Sequence, residues 1–192
     1  MKRRSLILMA ALSACITACA APAMDGAGMI VTFRNVINGK ALLFDTAISA
    51  NGIGFPNPGS LSPQADPQRG GATIGAAPDG RALPEWVEFS WKEWPYPGSP
   101  MPKNQEAVKL WNEGVHAMSR SLPRKIGRVF VRNRVPQDIV TEVMESNRHR
   151  ELGKTSEKKL WVYFIWYEHE IRFRWELAQG CCTVLRSGGD QL

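Results

Sequence analysis

Apolar and polar residues alternate along several segments of the chain, and a period of two predicts half-buried β-strands. In residues 85–94, for example, Val87, Phe89 and Trp91 share one face, and mostly polar residues occupy the other. Alternation predicts strands at residues 30–37, 85–94, 124–134 and 171–177, and the apolar segments 40–44 and 160–167 are predicted as two further strands.

An Asn38-Gly39 pair separates the first two predicted strands. Both residues of a tight two-residue turn need a positive φ, which asparagine and glycine tolerate better than other residues. The pair therefore predicts an N-terminal β-hairpin made of residues 30–37 and 40–44.

Two segments show the apolar spacing of three and four that is typical of an amphipathic helix. The first begins at Asn104, a good N-cap residue, and stops before Pro123. The second begins at Pro136, because proline is pre-set for the first turn of a helix. The predicted inward positions are Val108, Trp111, Val115, Met118 and Leu122 in the first helix, and Ile139, Val140, Val143 and Met144 in the second.

The order of these elements predicts an α+β fold with a mostly antiparallel sheet and two helices. Residues 49–83 are rich in Gly, Pro, Ser and Asn and poor in apolar residues, which predicts one long loop. We expect a single α+β domain that covers residues 29–192 and includes this loop.

The N-terminal residues have the pattern of a secretory signal. Lys2, Arg3 and Arg4 precede a short apolar stretch, which is too short to span a bilayer as a helix. Two overlapping motifs that end in cysteine, LSAC and ITAC, resemble the bacterial lipobox, in which the cysteine is lipidated and the preceding peptide is removed. We predict a signal peptide in residues 1–18, lipidation and a tether in residues 19–28.

Cys19 is the preferred lipidation site, and Cys15 is the alternative. With Cys19 lipidated, Cys15 is discarded, whereas lipidated Cys15 would leave Cys19 as an odd thiol in an oxidising compartment. Neither cysteine is followed by aspartate, which by resemblance to sorted lipoproteins favours the outer membrane, facing the periplasm. The other interpretation is an ordinary cleaved signal that yields a soluble periplasmic protein.

The positive charge of the chain is partly a property of the signal. Removing residues 1–18 removes three basic and no acidic residues, so the formal charge falls from +6 to +3. A nucleic-acid partner is therefore not expected.

Motifs that would indicate catalysis or metal binding are not found in the sequence. There is no Gly-x-Ser-x-Gly elbow, no His-Glu-x-x-His motif and no phosphate-binding glycine loop between a strand and a helix. The three histidines, His116, His149 and His169, have no partners at the spacing of metal ligands. Glu168-His169-Glu170 has the composition of a solvated turn. We expect no catalytic residues, no metal and no cofactor.

Cys181 and Cys182 are adjacent in the sequence and form a candidate disulfide. A vicinal disulfide closes a strained ring and is rare, so the other interpretation is a pair of small apolar residues. The sequence leaves both states of this pair open.

Arginines on two predicted strands form the candidate partner-binding surface. On residues 124–134 they alternate with apolar residues that include Ile126 and Phe130, and the final strand adds two more on its polar face. Guanidinium is weakly hydrated and binds carboxylates in a fork, so arginines among apolar residues favour protein interfaces. The alternative is internal ion pairing with Glu88, Glu142 or Glu176. The candidate partner-binding residues are Arg128, Arg132, Arg172 and Arg174, with Arg124 and Arg134 expected on the same strand face.

Five segments in the C-terminal part of the chain resemble a family of uncharacterised proteobacterial lipoproteins. They are LPEWVEFSW (83–91), RNRVP (132–136), LWVYFIW (160–166), FRW (173–175) and GGD (188–190). Members of such families often lie beside type VI secretion genes, where some lipoproteins act as immunity proteins against phospholipase effectors. The resemblance covers residues 80–192 and transfers no catalytic residue.

Two functional classes follow from these observations. The first is a membrane-anchored immunity lipoprotein that neutralises a secreted phospholipase effector in the periplasm by binding it. The second is a structural or maintenance lipoprotein of the outer membrane. A neighbouring toxin gene would favour the first class, and envelope defects on deletion would favour the second.

Overall fold

The structure, a computed structural model, describes residues 28–50, 52–75, 82–96, 104–151, 158–180 and 183–192. The fold is α+β with mostly antiparallel sheets, as the sequence predicts. The described strands are β1 (Ile30–Asn35), β2 (Lys40–Ser49), β3 (Ser60–Leu61), β4 (Ala72–Ile74), β5 (Trp86–Pro95), β6 (Lys125–Phe130), β7 (Lys158–Trp166), β8 (Ile171–Gln179) and β9 (Thr183–Gly189). The helices are α1 (Gln105–Ser121), α2 (Gln137–Glu151) and a 3-10 helix, Arg132–Arg134.

The strands form two sheets rather than one. Sheet A has the order β4-β1-β7-β8-β9, and sheet B has the order β3-β2-β5-β6. Every described pairing is antiparallel except that of β1 with β7, which is parallel. The strand β6 lies at one edge of sheet B, where its only strand partner among the described residues is β5.

One hydrophobic core lies between the two sheets. Phe33 and Phe164 from sheet A and Phe89 from sheet B are fully buried within it. The ring centres of Phe33 and Phe89 are 6.1 Å apart, and those of Phe89 and Phe164 are 5.0 Å apart, both with an edge-on geometry. Alternation of residues in β5, β7 and β8 puts their apolar faces here, so the predicted inward positions Val87, Phe89 and Trp91 are confirmed.

The predicted N-terminal hairpin needs a correction. A turn is present at Asn38-Gly39, but of these two residues only Gly39 has a positive φ (+65°), so the predicted turn with two positive φ angles is not formed. Strand β1 pairs in sheet A and β2 pairs in sheet B. The cause is the buried side chain of Asn35. Its Oδ1 accepts from the Ile37 N–H at 3.0 Å and its Nδ2 donates to the Lys40 carbonyl at 2.7 Å. These are backbone groups that a two-residue hairpin would bond to each other.

Both predicted helices are present. Asn104 caps α1, because its Oδ1 accepts from the Ala107 N–H at 2.7 Å. Helix α2 follows Pro136 and contributes Ile139 and Val143 to the core. Within the described residues, neither α-helix combines the length and apolar character that a membrane crossing needs.

Three strands, β3, β4 and β9, were not predicted from the sequence. Residues 49–83 are not loop throughout, because β2 extends to Ser49 and the segment contains β3 and β4. The strand β9 pairs with β8 at the edge of sheet A and is almost entirely exposed. It therefore lacks the apolar alternation by which a half-buried strand is recognised.

Candidate partner-binding surface

The edge strand β6 has apolar side chains on its solvent-facing side. Val129 points into the core, whereas Ile126, Arg128 and Phe130 point the other way. Ile126 is 63% exposed and Phe130 is 54% exposed. Large apolar residues that alternate with an arginine on an outer sheet face are more typical of an interface than of a solvated surface.

Arg128 is held by two neighbours on β5. Its guanidinium carbon lies 4.0 Å from the centre of the Trp86 ring. Its Nη2 donates to Glu88 Oε2 at 2.9 Å, and Arg128 and Glu88 are opposite each other in the strand register. The internal ion pair that the sequence left open for Glu88 is therefore present, and it fixes the arginine above the tryptophan ring.

Trp86 extends the surface onto β5. It lies directly opposite Phe130 and on the same outward face as Glu88. We name the four residues Trp86, Ile126, Arg128 and Phe130 the β6 patch. The sequence prediction did not include Trp86. The signal was available, since a tryptophan on the polar face of an alternating strand must point away from the core.

A cleft of about 500 Å³ lies beside β6, between this strand and the turn that joins β7 to β8. Trp91, Gly127 and Ile171 supply apolar lining, together with the Tyr167 ring. The indole N–H of Trp91 and the hydroxyl of Tyr167 are buried without a hydrogen-bond partner in the described part of the chain. The cleft is thus lined by four consecutive residues of β6, Lys125 to Arg128, and by the β7–β8 turn.

The charged residues around the cleft are largely paired with one another. Lys40 Nζ lies 3.1 Å from Glu93 Oε2 and 2.5 Å from Glu168 Oε1, and Lys125 Nζ lies 2.5 Å from Glu93 Oε1. The hydrogen bond to Glu168, followed by that to Glu93, raises the pKa of Lys40. Burial opposes ionisation of Glu93, but hydrogen bonds from Lys125 and Lys40 outweigh it and lower the pKa of Glu93. These groups tie the two sheets together across the cleft.

The prediction that the arginines of residues 124–134 share one strand face is wrong, because the strand ends at Phe130. The chain leaves the extended conformation at Val131, with φ −119° and ψ −57°, and residues 132–134 form the 3-10 helix. The period-2 alternation therefore ends at Phe130. Arg132 Nε donates to the Leu83 carbonyl at 3.1 Å, and Arg134 bonds to Asp190, so neither arginine continues the row begun by Arg128.

Arg172 and Arg174 lie on β8, on the face of sheet A that points away from the core. Arg172 Nε donates to Glu170 at 2.6 Å, and its guanidinium lies 4.3 Å from the centre of the Tyr167 ring. Arg174 lies opposite Tyr163 in the strand register. Arg128 is on the outward face of sheet B, so the four predicted arginines do not share one surface.

The remaining candidate residues from the sequence contribute less to the site. Cys15, Cys19, Cys181 and Cys182 lie outside the described residues. His169 is exposed in the β7–β8 turn next to the cleft. Among the residues that the structure describes, no three His, Cys, Asp or Glu side chains are grouped as metal ligands would be.

Comparisons of this chain with models of protein families, with curated proteins and with solved structures find no match. The features of the chain that bear on its function are the signal region of the sequence and the chemistry of the β6 patch.

Proposed function

We propose that the protein is a lipid-anchored protein of the cell envelope that acts by binding another protein rather than by catalysis. In this proposal the anchor is on Cys19 and the domain faces the periplasm from the outer membrane. The partner is a secreted phospholipase-like effector, which the protein neutralises by covering its surface. The β6 patch is the contact surface.

The observation that carries the proposal is the composition and exposure of the β6 patch. Tryptophan, arginine and phenylalanine are among the residues enriched at protein interfaces, and tryptophan and arginine are prominent among those whose truncation costs most binding energy. Here Trp86, Arg128 and Phe130 adjoin one another on neighbouring strands. A polar residue, Glu88, also borders the apolar positions on the same face.

The patch is also preorganised. Its residues are on two paired strands, and Arg128 is restrained by both Glu88 and Trp86. A surface that is already ordered loses less side-chain entropy on binding than a flexible one. The β6 patch side chains point away from the core, and their order in the absence of a partner supports a role in recognition.

The test is affinity purification of the tagged, lipidated protein from its native envelope, with mass spectrometry of the proteins that co-purify. Arg128→Glu and Phe130→Ser are compared with the wild type, and each has a matched control on β9. Arg186 is 48% exposed and bound to one carboxylate, as Arg128 is at 47%, so Arg186→Glu controls for charge reversal. Val184 is 50% exposed, so Val184→Ser controls for loss of an exposed apolar side chain.

We expect a near-equimolar complex with one secreted hydrolase, weakened at least about tenfold by the two β6 variants and unchanged by the β9 controls. Recovery of outer-membrane or cell-wall machinery instead would assign the protein to the structural class. Equal loss of the complex with β6 and β9 variants, or no loss with either, would refute the assignment of the surface.

A further inference from the structure

The hydrogen-bonding phase of β6 can be assigned from the bonds at its end. The Val131 N–H donates to the Glu85 carbonyl at 2.9 Å, and these two residues continue the β5–β6 register. In an antiparallel pair, hydrogen-bonded and non-hydrogen-bonded positions alternate. The backbone groups of Lys125, Gly127 and Val129 therefore point to β5.

The other side of β5 gives the same phase. The Ala50 N–H donates to the Trp86 carbonyl at 3.1 Å, which assigns Trp86, Glu88 and Ser90 to the ladder with β2. The residues of β5 that remain for β6 are Val87, Phe89 and Trp91. Their register partners are Val129, Gly127 and Lys125, in agreement with the assignment from Val131.

Consequently, the backbone N–H and C=O groups of Ile126, Arg128 and Phe130 point away from β5, toward the open edge of sheet B. No described residue forms a backbone hydrogen bond with any of them. The residues whose side chains form the β6 patch thus also present an unpaired backbone edge. An exposed edge of this kind is a template for another strand.

The other sheet edges are protected in ways that β6 is not. The edge strand β3 of sheet B has two residues, and the edge strand β4 of sheet A has three. Short edge strands resist pairing with another strand. The β8–β9 pairing has a register shift between Leu177 and Ala178. By contrast, β6 pairs with β5 over six consecutive residues without a shift, and it contains no proline.

From this edge we infer that β6 receives an extended segment of the partner as an added antiparallel fifth strand of sheet B. The inference rests on the proposed function, because it describes how the β6 patch is bound. The cleft beside β6 leaves room for such a strand. Side chains on one face of it would contact the β6 patch, and those on the other would contact Tyr167 and Ile171.

Charge complementarity defines the chemistry of the added strand. Residues 124–130 contain Arg124, Lys125 and Arg128 and no acidic residue, and each of the three pairs with a carboxylate of sheet B, on Asp45, Glu93 and Glu88 respectively. Arg128 uses Nε and Nη2 on Glu88, and its Nη1 has donors left for a second carboxylate. A second copy of β6 would place basic strands side by side, which is unfavourable. The matching segment alternates acidic residues, beside Arg128, with aliphatic residues, beside the cleft.

The probe is a capped peptide, acetyl-Glu-Val-Glu-Val-Glu-Val-amide, titrated into the isotope-labelled full chain and followed by backbone amide NMR. In the inferred pairing, the glutamates lie opposite Ile126, Arg128 and Phe130, so their N–H groups point to β6 and those of the valines point to solvent. A peptide N-methylated at the glutamates therefore blocks pairing. Its isomer N-methylated at the valines is the matched control.

We expect the largest shifts at the amides of Ile126, Arg128 and Phe130. Methylation of the glutamates should weaken binding at least about tenfold, because several backbone hydrogen bonds are lost together. Methylation of the valines should change it less than about threefold. Equal effects of the two methylations, or shifts elsewhere on the protein, would overturn the inference.

A protein variant tests the same edge from the other side. Proline is tolerated where an edge strand points its N–H outward, so Ile126→Pro removes one donor of the edge. Ile126→Ala removes the side chain but keeps the N–H. We expect Ile126→Pro to bind the unmodified peptide several-fold more weakly than Ile126→Ala. Circular dichroism and the thermal midpoint establish that both are folded, and Arg128→Pro against Arg128→Ala repeats the comparison if Ile126→Pro unfolds.

The result is separable from that of the proposed function. If the peptide shows no shifts at β6 but the envelope complex is still lost in Phe130→Ser, the patch binds its partner through side chains and strand addition is wrong. If the peptide binds at β6 but the β6 variants keep their envelope partners, the proposed function fails while the edge assignment stands. A concentration-dependent dimer abolished by Ile126→Pro would replace the acidic partner with a second copy.

Discussion

The Arg128 guanidinium is stacked 4.0 Å from the centre of the Trp86 ring while it donates to Glu88 at 2.9 Å. Both partners come from β5, so one exposed side chain of β6 is restrained by two different kinds of interaction. Because the same guanidinium makes both contacts, a double-mutant cycle is needed to separate the contribution of the tryptophan.

We predict a coupling between Trp86 and Arg128 in the free energy of unfolding. A double-mutant cycle with Trp86→Leu and Arg128→Gln should give about 0.5–1 kcal/mol, the range for an exposed cation–π contact. Urea denaturation measures the four free energies. The control is a second cycle with Trp86→Leu and Arg124→Gln. Arg124 pairs with Asp45, so this cycle should give no coupling. Equal values in the two cycles would contradict the stacking.

Asn35 should be among the most sensitive polar residues of the fold. Its side chain is fully buried and bonds to the backbone of Ile37, Lys40 and Leu61. Asn35→Ala leaves these groups unsatisfied, so we expect a loss of about 2–4 kcal/mol in the free energy of unfolding. Asn57→Ala is the control. Asn57 is exposed, and within the described part of the chain its side chain bonds to one backbone group, the Gly59 N–H, so this variant should lose less than about 1 kcal/mol. Similar losses for both variants would contradict the role of Asn35 at the corner.

Two glycines should respond to alanine in opposite directions. A Cβ on Gly127 would lie 2.9 Å from Ile171 Cδ1 and 3.0 Å from the Trp91 ring, so Gly127→Ala should destabilise the fold by about 1–3 kcal/mol. Gly114 is in α1 with open space around it, and Gly114→Ala should stabilise by about 0.5–1 kcal/mol. Chemical denaturation of both variants measures the difference, and a stable Gly127→Ala would mean that β6 and β8 separate easily.

Asp190 should make a contribution to the free energy of unfolding that is lost at acidic pH. It accepts from Arg134 and from the Phe173 N–H, and the Arg134 hydrogen bond lowers the pKa of this carboxyl. A lowered folded-state pKa stabilises the protein above the unfolded value of about 3.9, and this contribution is lost as pH falls through the folded-state pKa.

Asp190→Asn therefore should cost about 1 kcal/mol at pH 7, a value reduced by solvent screening of this half-exposed pair. The difference from the wild type should shrink at a second, lower pH below the folded-state pKa, where both carry an uncharged side chain at position 190. Urea denaturation at the two pH values measures it. A difference that is the same at both would show that the charge of Asp190 contributes nothing.

Lipidation predicts a specific labelling pattern. In cells given radiolabelled palmitate, the wild type and Cys15→Ala should be labelled, and Cys19→Ala should not. Loss of label in Cys15→Ala alone would move the site to Cys15. A wild type that is exported but unlabelled would indicate an ordinary cleaved signal and a soluble periplasmic protein.

The predictions from sequence succeeded where a single local rule decides the structure. Strands β5 and β8 were recognised because one face of each is largely buried and the other is not, and α1 because Asn104 caps it. Strand β7 is a nearly continuous apolar run that is buried on both faces from Val162 to Trp166. The sheet partner of each strand was not accessible, because pairing depends on contacts between distant residues. Asn38-Gly39 specified a turn correctly, but a turn alone does not determine whether the flanking strands bond to each other.

The arginine surface shows the limit of extrapolating a periodicity. Arg128 and Arg132 are four positions apart, and on a continuous strand they would share a face. A single residue, Val131, leaves the extended conformation and separates them. Pro136 restricts only the residue before it, Val135, which is extended, so the RNRVP segment gave no signal for the break at Val131. The sequence predicted that arginine and exposed apolar residues share a surface, but of the four predicted arginines only Arg128 belongs to the β6 patch.

The pairing of β1 with β7 also constrains the order of assembly. Ile30 pairs with Trp161, so β1, which lies beside the central strand β7 of sheet A, must wait for a segment that is made much later. Such distant pairings fold slowly and expose unpaired strands meanwhile. For a chain that crosses a membrane from its N-terminus, the first strand to arrive would remain without its neighbour until nearly all the rest had followed. If the chain is exported as we propose, its efficient maturation should therefore depend on chaperones that shield residues 30–35.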